Sequence, residues 1–208
     1  MSSRSCRSAR VLCSSPMPAE LSLPAAGLPS AAPLSRSAAS RVVCRQVASA
    51  AELADHFAIR RRIFVDEQAI FTESDLDLHD RDTSAVALMG YCDGVAAGTV
   101  RLFAIDPADG IWQGDRLAVL APYRTRGLGA PLVRCAVATA AVLESHLMSA
   151  HIQLPNVRFF QRLGWETRGD PEIYAGLVHQ PMSIELPPPD EACATVRRLA
   201  AGVSARDL

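Results

Sequence analysis

RLAVLAPYRTRGLGAPLV, Arg116–Val133, decides how the rest of the chain is read. Its first apolar run, Arg116–Leu120, reads as a strand, and Pro122 prevents that strand from continuing as a central one because proline has no N–H for a ladder. Gly127 and Gly129 then bracket Leu128, and a stretch of helical period follows with Leu132, Cys135, Ala136, Thr139, Ala140 and Leu143 on one face. A strand, glycine loop and helix in this order leave the first helical amides without intrahelical acceptors, at the positive end of the helix dipole. Such an end binds phosphate. Glycines also let an anion approach the main chain closely, although two glycines alone equally well make a plain turn.

Composition narrows the phosphate-binding designs. All 21 residues counted as Lys or Arg are arginines, so the P-loop, which brings a lysine to the β/γ-phosphates, is excluded. The dinucleotide fingerprint G-x-G-x-x-G fails at Leu132, where its third glycine belongs. A net charge of -1 over 208 residues offers no field to draw the chain onto nucleic acid or an anionic membrane. The six cysteines (Cys6, Cys13, Cys44, Cys92, Cys135, Cys193) show no metal-ligand spacing. They read as reduced, structural thiols, which predicts an intracellular, cytoplasmic chain.

Residues 1–40 are rich in Ser, Ala, Pro and Arg, with Glu20 as their single acid. That composition predicts a disordered segment and equally suits an organelle-targeting one. A domain is expected over 41–186. It begins with a short strand at 41–47 and a helix over roughly 49–68 with Ser49 as N-cap. Two strands follow, joined at Asp93-Gly94. After Val133 come the helix, a strand at HLMSAHIQ, a short helix opened by Pro155, and a last strand at GLVHQPMSIEL. Residues 187–208 read as a C-terminal tail with one weak helix. The run TESDLDLHDRD (72–82) reads as a solvated acidic loop. It lacks the glycine and glutamate of a calcium-binding loop at the sixth and twelfth positions from Asp75, so no metal is expected.

Arg124–Gly129 is R-x-x-G-x-G, and with RRRIFVDEQ (60–68), GTVRL (98–102), FFQRLGW (159–165) and GLVHQPM (176–182) it resembles the GNAT superfamily of N-acetyltransferases. The elements I-F-V-x-E-Q and G-x-x-H-x-x-M are most similar to small bacterial members of unassigned acceptor, including a group linked to nitrogen starvation. The resemblance implies an α/β (α+β) GNAT fold: a mixed central sheet of about six or seven strands, splayed between the fourth and fifth and flanked by helices. It implies acetyl-CoA as cosubstrate and a small-molecule amine as acceptor, and it leaves monomer and homodimer both open. Main-chain amides of Arg124, Arg126, Gly127, Leu128, Gly129 and Ala130 would hold the CoA pyrophosphate, with the two arginines at the rim. Leu117, Ala118 and Val119 would run beside the pantetheine arm, while Gln153 and Asn156 would face the cofactor from across the splay.

An amine with a pKa near ~10 reaches a site as ammonium and must lose a proton before it can attack. Candidate bases are Glu67, favoured here because it follows the helix lining the acceptor side; Asp115, two residues before Leu117 and so expected on that strand's same face; and His179 in the last strand. Many family members carry a tyrosine where this chain has Phe160, and use it to reprotonate the thiolate. Phe160 can stack near the thioester but has no proton to give, so water, Tyr123 or Tyr174 would serve, or the thiolate leaves unaided. A non-catalytic acyl-CoA-binding sensor is the alternative reading.

Overall fold

The computed structural model describes residues 40–205. The expected N-terminal segment, up to residue 39, lies outside the described residues, as do 206–208. The first strand, β1 (Arg41–Gln46), leads to α1 (Ala50–Arg61). There the Ser49 side chain accepts from the Glu52 amide while Glu52 accepts from the Ala48 amide. The helix widens into a π-turn over Arg62–Glu67. β2 (Val86–Cys92) and β3 (Val95–Asp106) form the expected hairpin, with Asp93 and Gly94 at φ 53° and 84°. Both left-handed conformations match the twist of a two-residue connection.

The third antiparallel partner, β4 (Ile111–Val119), is followed by α2 (Gly129–Val142), β5 (Leu147–Gln153), α3 (Val157–Arg162), the short strands β6 (Glu166–Thr167) and β7 (Glu172–Tyr174), and β8 (Leu177–Glu185). The sheet runs β6-β8-β5-β4-β3-β2-β1 and continues to a last strand, β9 (Val203–Ser204), with β7 also on β8. Among the described residues only β4 and β5 pair in parallel; every other neighbouring pair is antiparallel. Six longer strands among the described residues make the expected sheet, and three of two or three residues extend it.

Beyond the expected boundary at 186, α4 (Pro189–Ala201) buries Ala192, Cys193 and Leu199, and β9 pairs with β1. The reading of 187–208 as a tail is corrected accordingly. α4 packs Ala192 against Ala138 and Ala141, which explains why α2 is buried on more than the one face its period shows. One core, including Leu88, Leu102 and Leu132, lies beneath α2, while Ile59, Ile63 and Phe64 form a second beneath α1. Cys44, Cys92 and Cys135 are buried thiols. Among the described residues no helix is long and apolar enough to cross a membrane.

His56 on α1 is fully buried and neither ring nitrogen has a hydrogen-bond partner. Burial, with the positive charge of Arg60 beside it, lowers its imidazole to about 3. The unfolded chain titrates this group near ~6.5, so from there down to about pH 3 it takes up a proton that the folded chain refuses. Stability therefore falls as pH drops through that window. From about pH 7 to about pH 4.5, His56 alone should lower unfolding free energy by about 2.5 kcal/mol, and His56→Leu should remove that part of the loss in urea titrations. An identical pH dependence in the variant would show that the folded chain accepts the proton.

Candidate active site

β4 and β5 pair only from Ile111–Gln113 to Leu147–Ser149. From Gly114 and Ala150 onward they are unpaired, while β4 stays bonded to β3 as far as Val119. One edge of β4 thus carries main-chain groups with no strand partner. A groove of about 920 Å³, including space open to solvent, occupies the gap. Below the sheet, towards α2, it reaches Val100, Val133, Ala136, Met148, Phe160 and Trp165; towards α1 it meets Phe64, Phe71, Arg116, Tyr174 and His179. The groove passes through the sheet and joins its two faces.

What shapes this edge is a bulge. Arg116 and Leu117 together oppose Val100 of β3, and Arg116 has φ 51°. A left-handed residue that is not glycine costs about 1–2 kcal/mol and needs its surroundings to hold it. Thr99 donates its hydroxyl to the Arg116 carbonyl, and the Arg116 guanidinium bonds Asp75, Asp77 and Asp115. The bulge also breaks strand alternation. Leu117 packs into the α2-side core, whereas Asp115 turns to Arg101 and Arg116. The same-face expectation for Asp115 and Leu117 is corrected by that extra residue.

The acidic run is only partly solvated: Thr72, Glu73, Ser74 and Asp82 are exposed, whereas Asp75, Asp77 and Asp80 turn inward. Asp75 is 3% exposed, and its neighbours Asp77 and Asp80 bind the fully buried Arg60 and Arg101. Burial opposes ionisation of Asp80, yet the bonds from Arg60 hold its carboxyl down at about 2. His79 stacks on Phe103 at 3.7 Å.

The glycine loop lies at the end of β4. A tight turn over Ala121–Arg126 ends at Gly127, whose φ of 79° is left-handed, and a Cβ there would come within 3.3 Å of the Ala205 Cβ. No side chain caps α2. Pro131 has no N–H, and Leu132 is bonded to the Leu128 carbonyl, so the amides of Gly129 and Ala130 precede the first helical bond. Arg124 is turned to Glu67 and to the Val119 carbonyl, and Arg126 to Ser40 and Asp93.

The other candidate residues divide sharply. Glu67 sits at the end of the π-turn in its ion pair with Arg124, whereas Asp115 gives both oxygens to Arg101 and one also to Arg116. His179 is buried on the groove wall with Nδ1 2.9 Å from the Leu177 carbonyl. Gln153 spans the groove to Gln68 at 3.2 Å, Asn156 lines it, and Phe160 packs edge-on against Trp165. Of the two tyrosines, Tyr123 is buried in the core and Tyr174 lines the groove. Burial, with the negative charge of Asp115, pushes the Tyr174 phenol up, so it stays protonated at neutral pH.

Sequence reasoning missed His151 and Glu172. His151 stacks on Tyr174 with ring centroids 4.1 Å apart and an interplanar angle of 1°, and its Nε2 lies 2.8 Å from Glu172 Oε1. The only sequence signal was the outward parity of His151 with Gln153 on β5, which points it to the same side.

Residues 51–165 match the acetyltransferase (GNAT) family, to which the chain belongs. It is 25% identical over 132 residues to the uncharacterized N-acetyltransferase YjcF of Bacillus subtilis, covering 63% of this chain and 91% of that one. Its fold is similar to an acyl-CoA N-acyltransferase of Pseudomonas aeruginosa (TM-score 0.59, 21% identity, 69% and 98% of the two chains). Escherichia coli ElaA is similar too (TM-score 0.60, 18% identity, 69% and 98%). Members of this family transfer acyl groups from acyl-CoA, and the splay expected between the fourth and fifth strands is present.

Valine at Gly127 would be strained by about 1–2 kcal/mol in the left-handed region and crowded by Ala205. Gly127→Val should weaken acetyl-CoA binding about tenfold or more in calorimetry. Unchanged affinity would separate this loop from the cofactor path.

Proposed function

We propose that the chain moves the acetyl group of acetyl-CoA to a primary amine of a small molecule, by direct attack within a ternary complex. One observation carries the reading: the unpaired edge of β4 runs from the glycine loop to a cavity walled by His179. The amides of Gly127, Leu128, Gly129 and Ala130 receive the pyrophosphate at the helix start. Arg124 and Arg126 join at the rim by exchanging their present partners for phosphate oxygens. Leu117, Ala118 and Val119 offer main-chain groups to the pantetheine arm, and one N–H polarises the thioester carbonyl. The amides of Gln153 and Asn156 face the arm from the opposite wall, with Phe160 packed beneath it.

His179 is the base in this reading. A backbone carbonyl only accepts, so Nδ1 carries the proton of its bond to Leu177, and the neutral ring presents a lone pair at Nε2. Both oxygens of Asp115 are held by Arg101 instead, and Glu67, paired with Arg124 through Oε1 alone, is not on the groove wall. Nε2 takes one proton from the arriving ammonium and later passes it to solvent. The freed amine attacks the thioester carbon, the C–N bond forms, and the C–S bond breaks. The second proton leaves the new amide nitrogen for the departing thiolate, giving CoA thiol.

Thiol release from acetyl-CoA over a panel of amines tests the proposal. His179→Gln should lower kcat/KM about 100-fold or more while acetyl-CoA affinity stays unchanged. Full activity in that variant would remove His179 from proton transfer. Tight acetyl-CoA binding without turnover of any amine would favour the sensor reading.

A further inference from the structure

The acceptor half of the groove has a chemistry of its own. Phe64 and Phe71 form one wall and Tyr174 the other. The Tyr174 ring is fixed on three sides: by His151 stacked on its face, by His179 edge-on at 5.6 Å, and by Gln113, which donates to the phenol oxygen at 3.3 Å. His151 is itself held by Glu172. The wall is therefore a preorganised aromatic surface, which holds an apolar body at low entropic cost.

Charge at this end is constrained just as closely. Arg116 is the guanidinium on the groove wall, and its three nitrogens are taken by Asp75, Asp77 and Asp115 while its face lies over Phe71. A substrate carboxylate would meet a guanidinium whose charge is already matched by three carboxylates, and would stand close to Asp115. The cluster behind this wall, which reaches the groove through Asp115 and Arg116, contains four carboxylates (Asp75, Asp77, Asp80, Asp115) and three guanidiniums (Arg60, Arg101, Arg116), leaving one negative charge in excess. One ammonium is thus compensated, with help from the ring faces. A second cation would be desolvated against apolar walls with both Asp115 oxygens already occupied.

We infer that the acceptor is a monocationic primary amine on an aromatic or similarly flat apolar body, without a carboxylate. The inference rests on the acyl-transfer reading and names the acceptor class for the same site. The test uses the full chain with acetyl-CoA and three probes: 2-phenylethylamine, L-phenylalanine and spermidine. Thiol release should give 2-phenylethylamine a kcat/KM at least about tenfold above either rival. Tyr174→Ala should raise its KM about tenfold with unchanged acetyl-CoA affinity, and Tyr174→Phe should restore it. Preference for phenylalanine or spermidine, or an unchanged KM in Tyr174→Ala, overturns the acceptor class and leaves acyl transfer standing. Acetyl-CoA bound by calorimetry, with none of the three probes nor any other amine acetylated, overturns acyl transfer itself and the acceptor class with it.

Discussion

Three arginines and four aspartates, mostly buried on the α1 side of the sheet, hold β4 in the shape on which the groove depends. Arg60 comes from α1, Arg101 from β3 and Arg116 from the bulge of β4, and they share Asp75, Asp77, Asp80 and Asp115. Taking these charges out of water costs several kcal/mol per ion, so such a network contributes little net stability and is better understood as fixing one geometry. Here that geometry is the left-handed Arg116, which carries β4 away from the straight path that would have kept it beside β5.

The groove is a consequence of pairing given up. A strand that stays bonded to one neighbour and leaves the other exposes alternating donors and acceptors along a single edge. In water that edge invites aggregation, but here it lies inside the molecule, between an apolar floor under α2 and an aromatic chamber under α1. A long, flexible cosubstrate with amide groups of its own can satisfy such an edge from end to end.

The fold was largely legible because its determinants are local. Asp93-Gly94 marks a hairpin, Ser49 with Glu52 a helix start, and the paired glycines a strand-to-helix turn, each within a few residues. The aromatic chamber under α1 was less legible because its determinants are distant in the chain. Arg101 and Arg116 lie 24 and 39 residues from Asp77, so the run 72–82 reads as solvated until its partners are known. Asp115 looked aligned with Leu117 because alternation cannot show a bulge. Likewise, Glu172 and Tyr174 belong to a three-residue strand too short to leave a period, which concealed the wall they build around His151. α4 was discounted because it follows PPP (187–189), although it packs Ala192 on α2 and Leu199 into the main core.

Guanidinium chemistry has one more effect in a protein of this family. Acetyl-CoA is a mild acylating agent that modifies nearby ε-amines without any catalyst, and every such event erases a positive charge. This chain contains only arginines among its strong bases, and a guanidinium is a far poorer nucleophile because it keeps its proton at any physiological pH. The charges that tie the buried cluster together are thus chemically inert towards the acyl thioesters that members of this family use.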